Sequence, residues 1–282
     1  MPCPSDLKSD RTSLKSNTEK QRPIGIFDSG LGGLSIARSI RDILPAEDIV
    51  YFADLKHSPY GCKSKEQVIN RSECIADFLI KQNCKLVVVA CNTATVNSIG
   101  ILRSRCSIPF VGVEPGIKPA AFQSVNGVIG VLATEQTLRS TSYQKLKASY
   151  SDKVIIEERA CPDFVSIVEG LDHENEVAIV KAEQYIRPLL EAGCDQIILG
   201  CTHFSFLKPA INEVVGKNAV VIDTAIAVGN EVQRRLNHHG IRKDVGCSGG
   251  VEFWTSGDLE NTSASIFKLW GQEVSSVYQN SI

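Results

Sequence analysis

From residue 24 onward the chain alternates short, wholly apolar runs with longer stretches in which apolar residues recur at helical spacing. The runs fall at 24–27, 49–52, 86–90 and 110–113, and again at 128–132, 154–156, 197–199 and 220–222. Between them, 34–44, 68–81, 137–147, 174–192 and 225–236 carry the 3.6-residue periodicity of amphipathic helices. Apolar runs without polar alternation fit strands covered on both faces. Strands alternating with helices predict parallel sheets built from βαβ units. A further run, Val251-Glu252-Phe253-Trp254, predicts a strand that returns to the first half.

Two segments match each other. Residues 83–93 read Asn-Cys-Lys-Leu-Val-Val-Val-Ala-Cys-Asn-Thr, and residues 193–203 read Gly-Cys-Asp-Gln-Ile-Ile-Leu-Gly-Cys-Thr-His. Each is a buried-strand pattern that closes on a small residue, a cysteine and a polar pair. Cys91 and Cys201 are 110 residues apart, the length of one small α/β domain. With 282 residues, the chain is expected to divide in two. The expected fold is α/β, with two pseudo-symmetric three-layer domains, mainly parallel sheets, and the active site in the cleft between them. Residues 1–22 are expected to form a loose polar tail. Residues 23–115 with 225–282 form the first domain, carrying Cys91, and 116–224 the second, carrying Cys201.

Parallel sheets bind ligands at the carboxyl ends of their strands, where both cysteines fall. A thiol there faces the positive end of the next helix, so both thiols are expected to have lowered pKa values. Asn92-Thr93 and Thr202-His203 place amide, hydroxyl and imidazole groups at the same edges. His203 is a candidate proton-handling partner for Cys201. Two acid–base groups of one type on opposing domains suit a reaction at both faces of one carbon. One thiolate removes a proton, the other thiol returns one from the opposite side, and a stereocentre inverts.

The loop Asp28-Ser29-Gly30-Leu31-Gly32-Gly33 stands at a strand-to-helix turn, where backbone N–H groups suit a carboxylate or phosphate. It only approximates a dinucleotide fingerprint, and an ionised Asp28 beside it would repel pyrophosphate. Ser58-Pro59-Tyr60-Gly61 reads as a tight turn able to close over a substrate. Glu169, by its position alone, reads as a solvated helix residue.

Composition narrows the partners. The 30 Lys+Arg against 32 Asp+Glu give a net charge of −2, with no basic excess for a nucleic-acid backbone. No apolar run approaches the ~20 residues of a spanning helix, so no membrane role is expected. Ten cysteines without an export signal or a Cys-x-x-Cys pair point to free thiols in a reducing cytoplasm, and to no metal site.

At these residues the sequence resembles the glutamate racemases of the cofactor-independent aspartate/glutamate racemase superfamily. The matching motifs are Phe27-Asp28-Ser29-Gly30-x-Gly32-Gly33-Leu34-Ser35, Pro59-Tyr60-Gly61, Ala90-Cys91-Asn92-Thr93-Ala94, Gly200-Cys201-Thr202-His203 and Ile222-Asp223-Thr224. The resemblance covers about residues 23–270. It implies interconversion of L- and D-glutamate without a cofactor, for peptidoglycan and hence cell-wall biogenesis and cell shape. It implies that Cys91 deprotonates D-glutamate with help from Asp28, and that Cys201 deprotonates L-glutamate with help from His203 and Glu169. Asp28, Ser29, Tyr60, Gly61, Asn92, Thr93, Thr137, Thr202 and His203 would hold the substrate. The segment 112–119 is most similar to members activated by UDP-N-acetylmuramoyl-L-alanine, although Glu114 and Gly116 depart from the usual residues there. The family implies a monomer or homodimer. Three alternatives stay open on the sequence: a racemase for another acid such as aspartate, a catalytically silent gyrase-binding protein, and a thiol redox enzyme.

Overall fold

The computed structural model describes residues 18–244, 246, 248–272, 274 and 276–282. Among the described residues, ten strands form two sheets. The strands are β1 (Ile24–Asp28), β2 (Ile49–Ala53), β3 (Leu86–Val89), β4 (Phe110–Gly112), β5 (Val128–Ala133), β6 (Ile155–Ala160), β7 (Gln196–Leu199), β8 (Val220–Ile222), β9 (Val251–Thr255) and β10 (Val277–Gln279). The first sheet has the order β10-β9-β2-β1-β3-β4 and the second β6-β5-β7-β8. Every pairing is parallel. The four strands β2-β1-β3-β4 and β6-β5-β7-β8 follow one plan, which gives the molecule its pseudo-symmetry. As expected, the run at 251–254 returns to the first sheet, beside β2.

The apolar runs are unalternating because helices cover both faces of each sheet. Phe27, Phe52, Val87 and Val89 face the helices Lys65–Lys81 and Asn92–Arg105, while Ile26, Tyr51, Leu86 and Val88 face the opposite side with Leu34 and Ile40. In the second sheet Ile129, Val131 and Ile198 pack with Ile117 and Tyr143, and Leu132, Ile197 and Leu199 with Phe164, Ile186 and Ile211. One core cluster runs without a break from the first sheet to the second, and Leu31, Leu34, Phe164, Phe204 and Leu207 are among its members.

Local capping explains where elements differ from their expected bounds. The helix expected from 68 begins at Lys65, because Ser64 and Gln67 form a reciprocal capping box. The helix expected to run unbroken to 147 is split into Glu135–Arg139 and Thr141–Ala148, since Ser140 turns the chain and caps the second piece. The helices Lys208–Val215 and Leu259–Trp270 were not anticipated. Most of the expected loose tail lies outside the described residues. Its last part is attached, with Lys20 paired to Asp244 at 3.2 Å and its carbonyl accepting from Lys85 Nζ at 2.6 Å.

Candidate active site

In both sheets the chain leaves the central strand to one side and returns on the other, so a crevice opens at the carboxyl ends of β1 and β3 and of β5 and β7. Asp28 ends β1, and Cys91 stands two residues past β3. Thr134 follows β5, and Cys201 stands two residues past β7. The two crevices meet, and each thiol lies close enough for Cys201 to act on Cys91 electrostatically.

Cys91 caps the helix Asn92–Arg105. Its Sγ accepts from Ala94 N at 3.4 Å and lies 3.7 Å from Ser29 Oγ. The helix end was expected to lower its pKa, but the structure shows the reverse. Burial first, then the neighbouring Asp28 carboxylate, push the Cys91 thiol well up, outweighing the Ala94 N–H. Both act to keep the proton on the Cys91 sulfur.

Cys201 opens a short 3-10 turn, Thr202–Leu207, and its Sγ lies 3.8 Å from His203 Nδ1. The other imidazole nitrogen, Nε2, is 2.6 Å from Glu169 Oε1. Burial works against a charged His203. Hydrogen bonds to Cys201 and Glu169 outweigh it and hold the imidazole well above its ordinary pKa, as a cation. An imidazolium donor at the sulfur favours negative charge there. Glu169 is not the solvated helix residue its position suggested. It also accepts from Leu31 N at 2.9 Å, which joins the glycine-rich loop of the first half to the histidine of the second.

That loop does not wait for a phosphate. Asp28 Oδ2 takes the N–H groups of Gly30 and Gly33, each at 3.1 Å, and Glu169 takes that of Leu31. The protein's own carboxylates fill the anion site that the sequence advertised. The glycines permit this close approach: a Cβ on Gly30 would stand 2.0 Å from Glu169 Oε1, and one on Gly32 would stand 2.4 Å from His203 Nδ1.

The remaining expected residues gather around the two thiols. Ser29 is buried beside Cys91, and Thr202 Oγ1 donates to Asp28 Oδ1 at 3.3 Å. The hydroxyls of Thr93, Thr134 and Thr137 form a buried triangle with edges of 2.9, 3.1 and 3.0 Å across the two halves. Gly61 presses on Thr134, where a Cβ would meet the threonine Cβ at 2.8 Å. Asn92 Nδ2 is buried without a hydrogen-bond partner, so a donor next to Cys91 stands unused. Tyr60 is buried, but its hydroxyl donates to Asp54 Oδ2 at 2.5 Å. Asp54 also binds Arg71 and Ser256, so the tyrosine is anchored from below. A cavity of about 150 Å³ opens between the halves, lined by Pro59, Gly61, Thr134, Glu135 and Pro162 among others. A larger groove of about 470 Å³, beside Glu183, Arg187 and Glu213, holds none of these groups.

Sequence reasoning missed Thr134 and Asp54. The signal was present, since both directly follow parallel strands, the placement that singled out the cysteines. Among the described residues no group of His, Cys, Asp and Glu is arranged to hold a metal ion, and the eight described cysteines are free.

The Asp/Glu/hydantoin racemase family matches residues 25–231. The chain belongs to this family. It is 44% identical over 239 residues to a glutamate racemase of Herpetosiphon aurantiacus, covering 85% of this chain and 94% of that one. Among solved structures it is similar to glutamate racemase RacE1 of Bacillus anthracis, with a TM-score of 0.84, 30% identity, and coverage of 93% and 98%. It is similar also to the Escherichia coli glutamate racemase, solved with L-glutamate and the activator UDP-MurNAc-ala, with a TM-score of 0.81, 29% identity, and coverage of 92% and 98%. Both neighbours share the fold described above, and the racemase family assignment makes the chain an amino-acid racemase. No helix among the described residues is long and apolar enough to cross a membrane.

Proposed function

We propose that this racemase interconverts L-glutamate and D-glutamate without a cofactor, passing protons through two cysteines, and supplies D-glutamate for peptidoglycan. One observation carries the reading. Two buried thiols stand at equivalent places past equivalent strands, Cys91 beside Asp28 and Ser29 and Cys201 beside His203. Residues 23–115 with 225–282 supply Cys91, and 116–224 supply Cys201.

In the L-to-D direction Cys201 acts as the base. Its thiolate, paired with the His203 imidazolium, takes the α-proton: the Cα–H bond breaks and an S–H bond forms. Cys91, which holds its proton in the closed site, delivers it to the opposite face, and its S–H pair remains on sulfur as thiolate. The return direction exchanges the roles. The substrate ammonium offsets the Asp28 carboxylate, and with it part of what opposes a Cys91 thiolate. Asn92 Nδ2 supplies a donor for a substrate carboxylate, and Ser29, Thr93, Thr137 and Thr202 supply hydroxyls beside it. Tyr60 and Gly61 shape the entrance. Preorganised donors of this kind stabilise the carbanion-like transition state. The free thiols support a reducing cytoplasm as the setting.

Proton NMR of each glutamate enantiomer in deuterated water is the test. Both enantiomers should lose the α-proton signal and give the opposite enantiomer, and Cys91→Ser and Cys201→Ser should each abolish racemisation. Silence with glutamate alone is followed by adding UDP-N-acetylmuramoyl-L-alanine; exchange then marks it as an activator. Exchange of aspartate but not glutamate would overturn the substrate assignment.

A further inference from the structure

Tyr51 lies on β2, fully buried, and no role in proton transfer has been given to it. Its hydroxyl donates to the carbonyl oxygen of Gly30 at 2.9 Å. That carbonyl belongs to the peptide group whose N–H, on Leu31, donates to Glu169 Oε1 at 2.9 Å. Glu169 in turn meets His203 Nε2 at 2.6 Å, and His203 Nδ1 lies 3.8 Å from Cys201 Sγ. A single peptide plane therefore links a tyrosine of the first half to the base of the second.

We propose that Tyr51 is a positioning residue for the Cys201 half of the reaction, acting on Glu169 through the Gly30–Leu31 peptide. The physical reason is twofold. A donor on the carbonyl side of a peptide polarises the group and strengthens donation from its N–H, by about 10–30% per bond in a chain. The same bond also fixes the orientation of the peptide plane, and so the direction in which Leu31 N–H points. Without it, the Gly30 carbonyl would be buried and short of its partner, in a loop whose two flanking N–H groups already hold Asp28. The tyrosine ring packs against Phe253, at 6.2 Å between centroids, so the ring holds its place independently of the hydroxyl. Burial and the nearby Asp28, Glu169 and Cys91 hold the phenol neutral, which keeps it a donor throughout. The ionisable groups facing Tyr51 and His203 are Asp28 at the end of β1, Cys91 past β3, Glu169 of the helix Pro162–Glu169, and Cys201.

This inference rests on the two-thiol reading for its kinetic consequence but not for its structural one. The test is Tyr51→Phe, which removes the hydroxyl and keeps the ring. In the full-length racemase kcat should fall about three- to tenfold, the range for one buried hydrogen bond. The α-deuterium isotope effect should rise with L-glutamate, whose proton goes to Cys201, and fall with D-glutamate. Nitrogen-15 NMR of the imidazoles, with His203 assigned through His203→Asn, should show its titration midpoint displaced to lower pH. A role confined to folding would lower the denaturation midpoint and leave both isotope effects and the His203 titration at wild-type values; that result overturns the proposal. If the wild-type protein fails to racemise glutamate, the functional reading falls. The His203 titration in Tyr51→Phe still decides the linkage by itself.

Discussion

Gly30→Ala is the sharpest single test of how the two halves complete each other. Gly30 has no positive φ, so alanine meets no backbone strain there. The added methyl would stand 2.0 Å from Glu169 Oε1, where even a tight real contact is at least 3.0 Å. The carboxylate must therefore retreat by about 1 Å. It lies at the end of a flexible side chain, so the fold can absorb the move, but its bonds cannot. Drawn back from the loop, Oε1 leaves the 2.9 Å bond from Leu31 N, and its 2.6 Å contact with His203 is displaced. Hydrogen bonds to charged groups contribute about 1.5–3 kcal/mol, so losing one lowers kcat about 10- to 150-fold. The assay compares D-glutamate formation and urea denaturation for Gly30→Ala, Glu169→Gln and the double variant. The double variant should be little worse than either single one, because all three disable the same contact. A Gly30→Ala enzyme within twofold of wild type, or penalties that simply add, would refute the reasoning.

Other consequences are equally direct. Iodoacetamide at neutral pH should label the exposed Cys62 and Cys74 well before Cys91 in the ligand-free protein, because burial and Asp28 hold the Cys91 proton; peptide mass spectrometry reads the order. Arg71→Met should destabilise the protein by about 3–5 kcal/mol in urea denaturation, since it leaves the fully buried Asp54 carboxylate without its cation. The raised His203 pKa makes its charged pair with Glu169 and Cys201 a source of stability that is fully present below the unfolded value of 6.5 and lost as pH rises through the folded value. The stability difference between wild type and His203→Asn should therefore be greatest below pH 6.5 and shrink on the alkaline side, measured by urea midpoints across pH.

The architecture was readable because the parallel strands are covered on both faces and show as unbroken apolar runs. The matched cysteine segments, read as strand ends, located both crevices before any geometry was known. Three things escaped for physical reasons. Cys91 follows a helix-dipole rule in sequence, but desolvation depends on how tightly the second half closes over it, and that packing has no local signature. Glu169 looks solvent-facing along its own helix, and only a loop 138 residues away in sequence makes it a partly buried acceptor. The glycine-rich loop reads as an open anion site, because the carboxylates that fill it sit at its own entrance and in a remote helix. In each case at least one deciding partner comes from another part of the chain.

The joint between the two halves is made of two different materials. On one side, Leu31, Leu34, Phe164, Phe204 and Leu207 belong to one continuous hydrocarbon seam. On the other, the halves touch through the threonine triangle, Gly61 against Thr134, and Ser142 donating to the Val96 carbonyl at 2.9 Å. Water can take over hydroxyl contacts at small net cost, whereas parting a hydrocarbon seam costs about 25 cal/mol for every Å² wetted. The seam is thus the axle and the threonines are the latch. Substrate entry calls for a swing about the apolar edge that unfastens hydroxyls alone, and because the seam never parts, the two sheets should melt together in a single calorimetric transition.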